Sequence, residues 1–487
     1  MRRCLLATYC RRVQPQSQQP LGQHPPATTL SELRASGHVY RPVKQEIREN
    51  LLARMRAGQD RFPGIVGFDQ TVVPHMERAL LAGHDVILLG ERGQGKTRLI
   101  RTLVGLLDDW SPVIAGCEIH DHPYYPVCAR CQRLAAELGD ELPVAWRPRA
   151  NRYGEKLATP DTSVGDLIGD IDPVKVAEGR TLGDPETIHF GLVPRTNRGV
   201  FCLNELPDLA ERIQVALLNV LEERDIGVRG YALRLPLDIV LVASANPEDY
   251  TNRGRIITPL KDRFGAEIRT HYPLNLADEL TLIRQEADIW TAAELPDHLV
   301  EVIARFARGV RESPAVDARS GVSARFAIAA AESAAAAAVR RSALTGPAAE
   351  TPVARVCDLP AMVSTLRGKV EFEVSEEGRE EEVLAAMLRR AIADTFRSRL
   401  GGVDLSGLLA KFEDGGTVES GELVPATDLL RRVGEVPGLA RIMSRLGMEG
   451  GESFGHAAAA LEFALEGLYL MRRLSKDTDG GTSVYGT

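Results

Sequence analysis

The octapeptide GERGQGKT, residues 90–97, places three glycines, a lysine and a threonine hydroxyl within one turn of chain. It fits G-x-x-x-x-G-K-[ST]. It also follows the apolar run DVILL and opens the helical stretch TRLIRTLVGLL, which is the setting a phosphate cradle needs. Gly90, Gly93 and Gly95 allow successive backbone N–H groups to converge on one anion, and the helix N-terminus adds its dipole. Lys96 can reach the β- and γ-phosphates, and Thr97 can offer its hydroxyl to Mg2+. Candidate ATP contacts are therefore Gly90, Glu91, Arg92, Gly93, Gln94, Gly95, Lys96, Thr97 and Arg98.

A second constellation ends the apolar run in VFCLNELPDL, residues 200–209. Glu205 supplies a carboxylate able to orient an attacking water. Asn204 stands where an aspartate would steady hydrated magnesium, and its side-chain carbonyl can still accept from a magnesium-bound water. Thr97 and Asn204 are the Mg2+ candidates, and the site is expected to be competent but magnesium-hungry. Replacing Asn204 with Asp should change the magnesium dependence of turnover.

A third cluster lies in CEIHDHPYYPVCARC, residues 117–131. The C-x-x-C pair Cys128 and Cys131 offers two thiolates from one turn, and Cys117 with His120 or His122 could complete a tetrahedron around a structural Zn2+. Cys117, His122, Cys128 and Cys131 form the candidate set. Asp121 is a further donor, so the fourth position stays open. The alternative is three reduced cysteines beside two surface histidines.

Positioning these groups requires strands alternating with helices. DVILL, PVIAG, GVFCL and DIVLVASA alternate with segments such as RIQVALLNVLEER up to about residue 272, the pattern of a parallel sheet with crossover helices. Beyond 273 the strands give way to helical stretches, among them SARFAIAAAESAAAAAVRRSAL and REEEVLAAMLRRAIADTF. The fold class is α/β, with the following expected organisation: a disordered leader at 1–31; a nucleotide-binding domain at 32–272 with a cysteine-containing insertion at about 117–150; a helical lid at 273–404; a C-terminal helical region at 405–475; and a disordered tail at 476–487. The acid-free, arginine-bearing leader also admits a transit peptide or a mis-assigned start.

Of 487 residues 44% are hydrophobic and 26% charged, enough for two or three domains with cores. The net charge of -8 argues against a general nucleic-acid coat. Seven cysteines, three of them clustered, suggest metal rather than a disulfide framework. No apolar run reaches a membrane span, and a cytoplasmic location is expected.

GIVGFDQ (64–70), the phosphate loop, GDLIGDIDP (165–173), NRGVFCLNEL, SANPEDY and TPLKDRFG occur in the order used by AAA+ ATPases, and the chain resembles the group containing the magnesium-chelatase ATPase subunit and MoxR-like proteins. The resemblance covers about 60–400. It implies that Ile65 and Val66 line the adenine pocket and that Glu205 activates water. It makes Asn246 the sensor-one residue and Arg263 an arginine finger acting on a neighbouring subunit's ATP. Arg325 would be the sensor-two arginine, with Arg319 as its competitor. It places a helix-two insertion at about 174–199 and a hairpin at DIGVRGYALRLPL. It further implies a ring, expected to be hexameric, that acts on a protein client or on a partner with an integrin-like metal-binding domain.

The leading function is a mechanochemical ATPase that remodels a partner or assists metal insertion. The alternative is a nucleotide-dependent regulatory scaffold with slow turnover, motivated by Asn204. DNA translocation and transcription activation are disfavoured: GAFTGA is absent, no DNA-binding domain is recognisable, and the charge is negative.

Overall fold

The computed structural model describes residues 22–178, 187–222, 226–228, 231–233, 235–247, 255–289, 293–317, 321–345, 351–413, 415–448 and 453–487, with backbone alone inside 221–234. The chain divides into two compact units between His271 and Tyr272.

In the first unit, helices α1 (Leu30–Ala35), α2 (Val43–Arg56) and α3 (Val72–Ala82) precede β1 (Val86–Leu89) and α4 (Lys96–Thr102). Next come β2 (Trp110–Ile114), α5 (Ala129–Leu138), β3 (Val144–Pro148), β4 (Tyr153–Leu157), β5 (Gly169–Ile171), β6 (Ile188–Phe190) and β7 (Gly199–Asn204). Helix α6 (Glu211–Glu222), the hairpin β8 (Ile226–Val228) and β9 (Tyr231–Leu233), β10 (Ile239–Ala245), α7 (Thr258–Arg263) and β11 (Ala266–Arg269) complete it.

Five strands form a parallel sheet in the order β11-β1-β10-β7-β4. Strands β1, β7 and β10 are buried at every position, as expected where helices cover both faces. The two-residue period of a strand sends alternate side chains to opposite faces. Ile87, Leu89, Phe201, Leu203, Leu241 and Ala243 enter one core. Val86, Leu88, Val200, Cys202, Val240 and Val242 enter the other. A buried bidentate pair ties α2 to the start of β4: Arg152 donates to both oxygens of Glu46 at 2.6 and 2.7 Å.

PVIAG departs from the expected alternation. Strand β2 pairs antiparallel with β3 in a separate two-stranded sheet, because the cysteine insertion folds back between them. The expected disordered leader also differs over the part that is described. Residues 1–21 lie outside the described residues, whereas 22–31 are ordered. Val144 donates to the carbonyl of Thr28 at 2.8 Å, Leu30 donates to that of Leu142 at 3.0 Å, and Ala27 and Leu30 are buried. Of the expected helix-two insertion, residues 179–186 lie outside the described residues; β5 and β6, one on either side of them, pair antiparallel.

The second unit is mainly helical, with α8 (Leu276–Glu286), α9 (Asp297–Arg311), α10 (Ala324–Thr345), α11 (Glu380–Leu400) and α12 (Phe454–Leu470) as its longest elements. Ala327, Ala330, Ala331, Ala334 and Ala338 of α10 are wholly buried at three- and four-residue spacing, so neighbouring elements can approach closely. The C-terminal region expected to stand apart shares this core: one apolar cluster runs from Ile283 to Tyr485. The expected disordered tail is a hairpin, β13 (Ser475–Asp479) and β14 (Thr482–Gly486), and β14 also pairs with β12 (Val418–Gly421). The cause is Tyr485, a buried ring whose hydroxyl donates to Glu466 at 2.5 Å. Among the described residues no helix is long and apolar enough to cross a membrane.

Candidate nucleotide site and cysteine cluster

Residues 90–95 leave the C-terminal end of β1 and enter α4. Gly93 (φ 74°) and Gly95 (φ 76°) occupy the left-handed region. Gly90 is required for a different reason, since a Cβ there would lie 1.9 Å from Thr270 Oγ1. Gln94 is buried and accepts from the Thr270 hydroxyl at 2.8 Å, which pins the loop to the end of β11. Lys96 is buried, and its ammonium folds over the loop, donating to the carbonyls of Gly90 and Glu91. Arg98 Nε donates to Gly64 at 3.1 Å, joining the cradle to the segment that carries Ile65 and Val66, both half-buried. Glu91 is half-buried and Arg92 exposed.

The sheet order brings three strand ends together. Gly90 donates to the carbonyl of Ala245, the last residue of β10, at 3.2 Å, and β7 lies on the other side of β10. Asn204 is buried at the end of β7, where its Oδ1 accepts from Thr97 Oγ1 at 3.3 Å and Ser244 Oγ at 3.0 Å. Its amide nitrogen donates to Glu155 Oε1 at 2.8 Å. Glu155, on β4, also takes a two-point contact from Arg101 at 3.0 and 3.1 Å. Burial alone would raise its carboxyl pKa, but the hydrogen bonds and charge supplied by Arg101, together with Tyr153, hold it below the ordinary value. Glu155 was not among the residues singled out from sequence; a lone Glu in YGEKL carries no motif.

Glu205 follows with φ 54°, ψ 48°, a left-handed conformation costing a non-glycine residue about 1 kcal/mol, and strain of this kind concentrates at functional sites. Its N–H donates to Ser244 Oγ at 3.4 Å. Asn246 is the first residue beyond β10. It is buried, and its Oδ1 has no hydrogen-bond partner among the described residues. A buried acceptor left open at this strand end suits a site that takes up a polar ligand.

The chain thus joins the cradle, Thr97, Asn204, Glu205 and Asn246 along one edge of the sheet, where open α/β sheets bind ligands. Arg263, the last residue of α7, is exposed on the first unit. Arg325 is exposed near the start of α10 in the second unit, its N–H donating to Ser323 Oγ at 3.1 Å. Arg319 lies outside the described residues.

The cysteine cluster is real but differs from the expected set. The ligand atoms of Cys117, Asp121, Cys128 and Cys131, all buried, lie within 4.8 Å of one another. His122 is not among them. Its Nδ1 accepts from Tyr124 N at 3.0 Å, its Nε2 lies 3.3 Å from His38 Nε2, and its ring stacks on that of His38. Burial, helped by Arg198 and His38, drives its pKa down to about 2. His120 sits at φ 58°, turning the chain so that Asp121, rather than its histidine neighbours, joins the sulfurs.

Comparison with known proteins finds several relatives of the first unit. The family model described as Sigma-54 interaction domain matches residues 181–263, which span β7, β10 and α7. The magnesium-chelatase 38 kDa subunit of Acidiphilium rubrum is 31% identical over 209 residues, covering 41% of this chain and 55% of that protein. Magnesium-chelatase subunit ChlI of Anabaena variabilis is 28% identical over 211 residues, covering 42% and 57%. A complex of magnesium-chelatase subunits BchI and BchD, based on a cryo-EM reconstruction, aligns at 18% identity and TM-score 0.35, covering 83% of this chain and 94% of that chain. This chain therefore spans little more than half the length of the curated relatives it matches.

The first unit thus resembles an AAA+ ATPase domain: it carries the match to the Sigma-54 interaction domain, and over the matched region the chain is homologous to the magnesium-chelatase ATPase subunits.

Proposed function

We propose that the protein hydrolyses ATP and couples turnover to remodelling of a partner protein or to assisted metal insertion. The observation that carries this reading is the convergence of the phosphate cradle with Thr97, Asn204, strained Glu205 and the open acceptor of Asn246. The cradle N–H groups and Lys96 would hold the β- and γ-phosphates, and Ile65 and Val66 would flank the adenine. Thr97 and Asn204 would hold Mg2+, which when bound supplies positive charge against the phosphate oxygens. Glu205 would orient the attacking water, and Asn246 would hydrogen-bond near the γ-phosphate. Such positioning, together with neutralised charge, provides most of the catalysis in phosphoryl transfer.

In this reading Arg263 acts on the ATP of an adjacent protomer in a cytoplasmic, MoxR-like hexameric ring, and Arg325 is the sensor-two arginine. Likeness to named magnesium-chelatase subunits supports a companion subunit as partner, with an integrin-like metal-binding domain as the expected type. A structural Zn2+ is assigned to the cysteine cluster.

The test is steady-state ATPase activity of the full chain beside Lys96→Ala and Glu205→Gln. Wild-type turnover well above both, with nucleotide binding lost only in Lys96→Ala, is expected. Turnover equal to Glu205→Gln would instead favour the regulatory scaffold.

A further inference from the structure

We infer that Asp121 is the fourth ligand of a closed Cys3Asp zinc site that fastens the N-terminal segment to the nucleotide-binding unit; this rests on the zinc assignment above and fixes its ligands. Cys117 and Cys128 sulfurs are 4.0 Å apart. A tetrahedron with zinc–sulfur bonds of about 2.3 Å has edges of about 3.8 Å, so the pair is already at near-ligating separation.

Asp121 is built as a ligand. Its Oδ2 accepts from the N–H groups of Val127 and Cys128, both at 2.8 Å, which fixes the carboxylate. Its Oδ1 is buried with no hydrogen-bond partner among the described residues, and one of its carboxylate oxygens lies within 4.8 Å of all three sulfurs. A buried carboxylate oxygen with no donor is costly unless a cation takes it. Asp121 N also donates to Cys117 Sγ at 3.3 Å and Cys131 N to Cys128 Sγ at 3.4 Å, contacts that stabilise thiolates. Cys128 caps α5, so both C-x-x-C sulfurs sit at a helix N-terminus, where negative charge is favoured.

The other nitrogen donors fit less well. Both His122 nitrogens are engaged as described above. His120 Nδ1 is buried and unpartnered among the described residues, yet it lies outside the group whose ligand atoms converge. With four protein ligands the site has no open position for substrate, which makes it structural. Its mechanical role follows from what surrounds it. The zinc-held turn and α5 lead into β3, and β3 holds the N-terminal segment through Val144 and through Trp146 Nε1, which donates to Ala27 at 2.8 Å.

The experiment is metal analysis of the full chain, purified reduced and without chelator, alongside Cys128→Ser, Asp121→Ala, His120→Ala and His122→Ala. One zinc per chain is expected in the wild type and both histidine variants, and none in Cys128→Ser. Asp121→Ala should bind zinc more weakly by at least the roughly 10–100-fold seen on losing an outer-shell partner. Cadmium-113 NMR of the wild-type chain gives a fold-independent check, with a shift in the range of three sulfurs and one oxygen. A reduced wild type without zinc sinks the zinc assignment itself. Zinc held equally by Asp121→Ala but lost on replacing His120 or His122, or a three-sulfur, one-nitrogen cadmium shift, overturns Asp121 while leaving that assignment standing.

Discussion

Glu155 Oε1 accepts the amide N–H of Asn204 at 2.8 Å, and this contact decides which face of Asn204 meets Thr97. With Nδ2 engaged, Oδ1 is left for the Thr97 and Ser244 hydroxyls. The negative charge that Asn204 lacks is present one strand away, on a carboxylate held ionised by Arg101. Asparagine at 204 is thus a fitted residue rather than a damaged aspartate.

The first prediction follows from that pair. An aspartate at 204 would face the Glu155 carboxylate, and like charges about 4 Å apart repel by a few kcal/mol near a protein surface. Bound Mg2+ relieves that repulsion, so Asn204→Asp alone should lower the magnesium concentration needed for half-maximal turnover roughly tenfold or more, each factor of ten being about 1.4 kcal/mol. Asn204→Asp combined with Glu155→Gln should reverse this, because the amide introduced at position 155 can donate to the new carboxylate. Magnesium titrations of ATPase rate check it, and additive effects of the two changes would contradict the coupling.

Glu205→Gln should keep ATP affinity and lower the turnover rate by roughly 10²–10⁴, the range for losing a positioned acid–base group. Fluorescent-nucleotide binding and phosphate release, measured on one preparation, separate the two effects.

On the proposed ring, Arg263→Ala should assemble normally and lose roughly 10³-fold or more in turnover, the loss expected of an arginine finger. Mixing it with Lys96→Ala should restore activity, because each Lys96→Ala protomer lends an intact Arg263 to a neighbour's intact cradle. Co-assembled rings that remain inactive would refute a finger acting between subunits.

Deleting residues 476–487 should destabilise the second unit by roughly the 3–5 kcal/mol of losing a large buried side chain, since Tyr485 fills its core and β14 pairs with β12. A thermal melt unchanged by the deletion would show that the hairpin contributes nothing.

Acid should weaken the second unit through His298. Burial, then the charge of Arg399, pushes this imidazole from 6.5 to about 3, and neither ring nitrogen has a partner among the described residues. As pH falls below 6.5 the unfolded chain takes up a proton and the folded chain does not. Stability is therefore complete above 6.5 and declines by about 1.4 kcal/mol per pH unit towards 3. His298→Leu should flatten that part of the curve in urea denaturation, and parallel wild-type and variant curves would exclude the histidine.

What was legible in the sequence was local. The cradle was readable because its glycines, Lys96 and Thr97 are adjacent in the chain, and a ring of N–H groups around an anion needs contiguous residues. Strands β1, β7 and β10 were readable because burial on both faces demands unbroken apolar runs. The three clustered cysteines announced a possible metal by spacing alone. What tertiary structure decided depends on register between distant segments. Glu155 meets Asn204 because β4 pairs with β7, Asp121 displaces His122 because His120 turns left-handed, and the tail orders because Tyr485 reaches a core built elsewhere. A one-residue slip in any of these pairings would exchange the faces and the partners, and no periodicity within a single segment specifies them.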